Sequence, residues 1–453
     1  MLKSQLHILS LVFAIVYYVL FKEWIPLSSG LTYYISIGIY VLYNFYYLKA
    51  FKNKNYFCFE ILFCLSYFGA CLLYPLLIDQ IAINDGYLGL VFGNTKAASQ
   101  MRFFNLSLCA YYVYMFAMTK SDSQAANSTR HVPSYDKMVR LSNIFLIIGV
   151  LLFLYKGGMQ ILSRYSGNLG AFTDYGGVLF YLTIFYTIST MFNFLAISKN
   201  ENTSIRFVYN SLSPVYRYSS IFIIGLMMIS GYRSQAIQLL FPVAMMYVTY
   251  IKPIPLKRLI VLMSFGVALM IVIGFTRIGE SVSLSGTDST EYFRDYLMEG
   301  AGGVWLLEYT EQNGPTWGSN AILQMVSFIP FAQSVLVAMF GKDAFTESSS
   351  MMFTNAFRDD GTGLGTNMIG DLYYTFGIIG IIVCMYLLGW ALRKVLTPKG
   401  LYQLLILLLL VGNSVFSTRV EFFYLFRSLG FAVIFLFVML SITSSKRYAS
   451  FNN

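Results

Sequence analysis

Charge is scarce in this chain and histidine nearly absent: only 11% of its 453 residues are Asp, Glu, Lys or Arg, and His7 and His131 are the only imidazoles. Against a content of 57% hydrophobic residues and a mean hydropathy of +0.63, so little charge excludes a soluble globular domain. Cysteine is also sparse. The five thiols (Cys58, Cys64, Cys71, Cys109 and Cys384) are odd in number, lack CxxC spacing and sit in apolar stretches, which excludes a disulfide framework or a thiolate metal site. No GxxxxGK[ST] element occurs, and the GlyThrGlyLeuGly run at 361–365 has no lysine after it. That run reads as a flexible helix entry, with phosphate contact as the alternative. No cofactor is expected.

What the chain has in abundance is apolar segments of the ~20 residues that cross a bilayer core. They fall at 5–21, 27–48, 57–78, 101–118, 139–155, 176–197, 218–232, 235–251, 258–276, 367–391, 401–418 and 422–443. No barrel periodicity accompanies them, and only helices otherwise satisfy backbone polar groups in lipid. The expectation is an all-α polytopic membrane protein with about twelve transmembrane helices. The first segment lacks a small-residue cleavage site before Phe21–Trp24, so it is expected to stay as a helix.

The net charge of +10 does not mark a nucleic-acid binder, because the charge is sorted by side. With the N-terminus in the cytoplasm and alternating spans, the inner loops and tail hold 19 of the 31 basic residues, opposed only by Glu60, Asp122, Asp136 and Glu201. This is the positive-inside pattern, and it keeps both termini on the cytoplasmic side of the membrane. Inner loops of mostly ten to twenty residues leave no room for an attached ATPase. The pattern also places His7 in the first span and His131 on the inner side, so neither serves an outer site and a metal site is not expected.

One interruption breaks the train of spans. From Arg277 to Gly365 the sequence is polar and net acidic, with Trp305, Trp317 and an apolar run at 321–340. Long structureless loops are uncommon inside ordered proteins, and this one has material to fold with. It is expected to be a large ordered outer loop containing short helices, dividing the chain into 1–276, 277–366 and 367–453. The run at 321–340 carries Gln324, Pro330 and Gln333, and a crossing there would move Arg393, Lys394 and Lys399 outside. It reads as interfacial or re-entrant.

Arginine is costly in a bilayer, so its placement carries information. Arg233 sits in the GlyTyrArgSerGln hairpin at 231–235, where it either snorkels to headgroups or binds an anion. Arg277 closes a span, and Arg419 and Arg427 flank the last hairpin. Arg427 lies inside the final span and needs an anion or a carboxylate, Glu421 being one candidate. Arg358 lies on the outer loop and could join them, as could Arg164. Several arginines at one depth suit a phosphate or pyrophosphate, which a guanidinium fork recognises. Tyr232, Trp305, Tyr309 and Trp317 are outer aromatics able to stack on sugars. Asp371 begins a span, where it complements the helix dipole, orients an arginine or acts as a base.

The GlyTyrArgSer hairpin, the late outer loop and the IleGlyAspLeuTyrTyrThrPheGlyIleIleGly segment at 369–380 together resemble the bacterial oligosaccharide repeat-unit polymerases, the Wzy or O-antigen polymerase family, relatives of the O-antigen ligases. The resemblance covers roughly residues 200–440. It implies a membrane-embedded, GT-C-like, metal-independent glycosyltransferase facing the periplasm. Such an enzyme transfers a growing glycan from undecaprenyl pyrophosphate to a new lipid-linked repeat unit, sometimes with a chain-length regulator protein as partner. It implies that Arg233, with Tyr232 beside it, holds the pyrophosphate and neutralises its developing charge. Arg277 and Arg419 match by position. The ligases use a loop histidine that this chain lacks, so a base would be Glu280, Asp371 or Glu421. A flippase or transporter, and a ligase, are the alternative readings.

Overall fold

A computed structural model describes residues 2–22, 29–51, 56–77, 96–120, 135–156, 176–198, 204–229, 233–255, 257–262, 264, 266, 294–329, 332–341, 348–357 and 365–443. Every described element is helical. In chain order they are α1 (Leu2–Lys22), α2 (Ser29–Phe51), α3 (Phe59–Tyr67), α4 (Tyr74–Leu77), α5 (Ala97–Thr119), α6 (Asp136–Tyr155), α7 (Gly176–Ile197), α8 (Ile205–Ser211), α9 (Pro214–Ile229) and α10 (Arg233–Tyr250). Then follow α11 (Arg294–Asn313), α12 (Ser319–Val326), α13 (Ala332–Phe340), α14 (Ser349–Phe357), α15 (Met368–Val395), α16 (Leu401–Gly412) and α17 (Tyr424–Thr443).

Among the described residues, five helices are long and apolar enough to cross a membrane: Lys3–Lys22, Asp136–Tyr155, Val178–Ile197, Met368–Val395 and Tyr424–Thr443. Their outer faces remain apolar. Ile8 is 61% exposed, Leu151 59% and Phe437 62%, a surface that water would not tolerate and lipid solvates. The chain is therefore a multi-pass helical membrane protein.

One half of the bundle packs α1 and α15 against α5, and the other packs α6, α7, α10 and α16 together. Polar side chains hold both halves. In the first, Tyr67 gives its hydroxyl to Ser107 O at 2.7 Å and Tyr40 to Cys64 O at 2.8 Å. In the second, Asn143 of α6 donates to Ser213 Oγ at 2.7 Å and accepts from Ser189 and Asn193 of α7. Interhelical hydrogen bonds of this kind join helices where lipid supplies no hydrophobic drive.

Two of the expected spans are shorter or less regular than the apolar runs suggest. The run at 57–78 is interrupted, because α3 passes into a π-turn at Phe68–Leu72 before α4. The run at 401–418 stops being helical at Gly412. Twelve residues rise only ~18 Å, short of a ~30 Å core. The local cause is side-chain competition for the backbone: Asn413 Nδ2 bonds Leu409 O at 2.8 Å, Ser414 Oγ bonds Val411 O at 2.8 Å and Ser417 Oγ bonds Ser414 O at 3.1 Å. Residues 413–418 then proceed through turns while remaining largely buried.

The acidic interruption contributes helices too, and α11 is a core helix rather than surface. Leu297, Ala301, Val304 and Leu307 are all 2% exposed or less. Its GluGlyAlaGlyGly stretch lets neighbours approach closely. A Cβ at Gly303 would collide with Asn367 and Phe103, and one at Gly370 of α15 would lie 2.7 Å from Gly303 Cα. The run at 321–340 is two short helices, α12 and α13, and neither has the length of a span.

Helix α15 is itself broken. Gly377 has φ 66° and ψ −159°, a region essentially open to glycine alone. The break frees carbonyls, and the turn after α11 takes them: Thr316 N donates to Tyr374 O at 2.9 Å and Gly318 N to Thr375 O at 3.2 Å. Asn320 adds Nδ2 to Thr375 Oγ1 at 2.9 Å. Between Thr316 and Gly318, Trp317 adopts φ 52°, the positive-φ non-glycine residue among those described.

Candidate functional site

The unwound stretch after α16 meets the start of α15 in a buried polar junction. Asn367 caps α15 by accepting from Gly370 N at 2.8 Å, while its amide donates to Glu299 O of α11 at 2.8 Å and to Ala70 O at 3.4 Å. Met368 N bonds Thr418 O at 3.3 Å. Ser66 of α3 donates to Val415 O at 2.8 Å and pairs with the Thr418 hydroxyl. The Met368 amide and the Ser66 hydroxyl thus tie the non-helical segment to α15 and α3, while Asn367 ties the start of α15 to α11.

Three ionisable centres are set on this frame. Arg419 grips Glu299 of α11, with both Nε and a terminal guanidinium nitrogen 2.5 Å from Oε1. The Glu299 side chain is 6% exposed and that of Arg419 20%. Asp371, fully buried one turn into α15, accepts from Ser349 Oγ at 2.7 Å and from Phe422 N at 2.9 Å. Glu421, 7% exposed, accepts from Ser350 Nʜ at 3.3 Å and from the Ser350 hydroxyl. The first two residues of α14 therefore hold one carboxylate each.

Arg427 lies in the first turn of α17, beyond Glu421, but the two do not pair. Its guanidinium carbon is 4.9 Å from the Phe180 ring centroid, and its buried Nε has no hydrogen-bond partner among the described residues. Glu421 as the partner of Arg427 is thus replaced by Ser350, because α14 reaches the carboxylate first.

Of the residues singled out from sequence, Asp371, Arg419 and Glu421 converge here, and Arg427 begins the adjoining helix. Arg233 starts α10, but its side chain, like Tyr232, Arg277, Glu280 and Arg358, lies outside the described residues. Sequence reasoning missed Glu299, Ser349 and Ser350. The glycine-rich helix pattern around Glu299 and the SerSerSer run at 348–350 were the available signals.

Elsewhere, Arg102 of α5 forms a two-point bridge to Glu311 of α11, at 2.6 and 2.9 Å, and Lys96 N bonds Glu308 at 3.1 Å. Acidic residues of the interruption therefore anchor α11 to the bundle. No three of His, Cys, Asp and Glu converge as a metal-binding group among the described residues.

The fold is that of a multi-pass helical membrane protein in which an unwound, largely buried segment carries an arginine and a carboxylate. Residues 4–449 match the family model described as O-antigen polysaccharide polymerase Wzy, nearly the whole chain, and the protein belongs to that family. No curated protein and no solved structure matches the chain.

Proposed function

We propose that this chain polymerises oligosaccharide repeat units carried on undecaprenyl pyrophosphate, at the periplasmic face of a bacterial inner membrane. The segment from 277 to 366 works as the outer-face element between two transmembrane blocks, in an arrangement of about twelve spans with cytoplasmic termini. The observation that carries the reading is the meeting of Arg419, Asp371 and Glu421 at one buried junction, in a chain matched end to end by the polymerase family.

In this mechanism a sugar hydroxyl of the incoming lipid-linked unit loses its proton to a carboxylate and attacks the anomeric carbon of the growing glycan. The bond from that carbon to the pyrophosphate oxygen breaks, and undecaprenyl pyrophosphate leaves. Glu421 is the better placed base, because Asp371 is fully buried and holds the backbone N–H of Phe422. Arg427 and Arg233 neutralise the leaving pyrophosphate. Arg419 already faces Glu299 and orients the segment around it. Residues of this chain supply each of these roles, and no step calls for a cofactor.

Deleting the gene tests the reading. A polymerase leaves surface glycan as single repeat units, and Arg233→Ala reproduces that pattern at normal protein level. Lipid-linked units retained on the cytoplasmic leaflet would replace the proposal with a flippase, and full-length glycan stranded on its carrier would replace it with a ligase.

A further inference from the structure

We propose that Trp317 is a glycan-stacking platform that binds the saccharide of the substrate beside the buried junction. The inference rests on the polymerase reading and names a substrate-binding residue for it.

Three observations single out Trp317 among the aromatics of its region. Its backbone has φ 52°, a conformation L side chains avoid, yet its side chain is 72% exposed, so no packing of the indole repays the strain. The strain is imposed from both sides, since Thr316 N and Gly318 N are spent on the carbonyls freed by the break in α15. Gly318 is fixed further by the Phe376 ring, which would stand 2.6 Å from any Cβ placed there. The backbone that carries the indole is thus fixed, and an aromatic side chain with few rotatable bonds gives contact area at low entropic cost. By contrast, Trp305 and Tyr309 are stacked on each other with centroids 5.2 Å apart and engage Phe353 and Tyr374.

The place is also right. The anchoring residue Thr375 is one helical turn from Asp371, a rise of about 6 Å. Phe376, which seats Gly318, lies 6.3 Å from Phe423 in the segment that carries Glu421. A membrane-interface tryptophan is the rival reading. Against it, residues 303–329 contain no lysine or arginine to meet phospholipid headgroups, while exposed Gln312, Asn313 and Ser319 offer amide and hydroxyl partners for sugar hydroxyls.

The test compares Trp317→Tyr, Trp317→Leu and Trp317→Ala in nanodiscs. Two probes are used: lipid-linked repeat units from a strain lacking this chain, and the lipid-free repeat-unit oligosaccharide. Stacking predicts that Leu and Ala raise KM for the lipid-linked unit and weaken binding of the free oligosaccharide roughly five- to tenfold, with kcat little changed and Tyr near wild type. Leucine at wild-type KM, or a loss confined to membrane insertion, overturns the proposal in favour of an interface anchor. If wild type forms no polymer but still binds the free oligosaccharide through Trp317, the polymerase reading fails and the stacking site stands. Polymer formation with no effect of Leu or Ala on either measurement removes the stacking site alone.

Discussion

Ser349 and Asp371 join two elements far apart in character: the hydroxyl at the start of a nine-residue helix from the acidic interruption lies 2.7 Å from a fully buried carboxylate in the first turn of a 28-residue broken helix. The other oxygen of the same carboxylate takes Phe422 N. Asp371 therefore couples α14 to the segment that carries Arg419 and Glu421, and α14 returns the tie through Ser350 and Glu421.

Removing one of these ties should loosen the junction measurably. Ser349→Ala deletes a hydrogen bond to a buried carboxylate, a change of about 1.5–3 kcal/mol. Thermal unfolding of the purified protein in detergent should show a lower Tm, and Ser350→Ala a smaller drop because Ser350 N still donates to Glu421. Equal, unchanged melting for both would mean that α14 does not dock in this way.

Glu299 and Arg419 should tolerate joint loss better than single loss. Glu299→Gln leaves a largely buried guanidinium facing a neutral amide, and breaking a buried pair one-sidedly costs about 3 kcal/mol or more. Folded yield in the membrane should fall for Glu299→Gln and for Arg419→Gln. The double variant should recover much of it. Strict additivity in this double-mutant cycle would show that the two side chains do not interact.

Gly377 offers a clean conformational test. Nothing lies within 4 Å of a Cβ built there, so Gly377→Ala introduces no clash and acts only through φ 66°. A residue forced into that region carries about 1–3 kcal/mol of strain. The variant should lower Tm accordingly or straighten α15, releasing the turn at Thr316–Gly318. Raised protease sensitivity near Trp317 would report the release, and an unaltered Tm with unaltered cleavage would show that the break at Gly377 is not required.

Much of the scaffold is written in the sequence because hydrophobic run length is a one-dimensional property. The runs at 139–155, 176–197, 367–391 and 422–443 became α6, α7, α15 and α17. Where polar side chains bond their own backbone, run length misleads: Asn413, Ser414 and Ser417 end α16 early inside an unbroken apolar reading. Asp371, Arg419 and Glu421 were legible as costly charges. Their partners were not, since Glu299 lies 120 residues from Arg419, and Ser349 and Ser350 look like ordinary loop serines until α14 folds against α15. The burial of α11 was hidden too, because its glycines disguise a packing surface as a polar stretch.

Arg427 yields the prediction closest to the chemistry. Its guanidinium carbon sits 4.9 Å from the Phe180 ring centroid, and its buried Nε has no partner among the described residues. A planar fork held in place with an unused donor suits a pyrophosphate better than a lone phosphate or a headgroup met by snorkelling. Inorganic pyrophosphate should therefore compete with the lipid-linked donor in polymerisation by the purified protein. Arg427→Lys keeps the charge but loses the planar fork, so its inhibition constant for pyrophosphate should rise about tenfold, equivalent to ~1.4 kcal/mol. Inorganic monophosphate should compete poorly with both proteins. An inhibition constant that is unmoved by Arg427→Lys, with polymer length also unmoved, would place Arg427 among the residues that only pack.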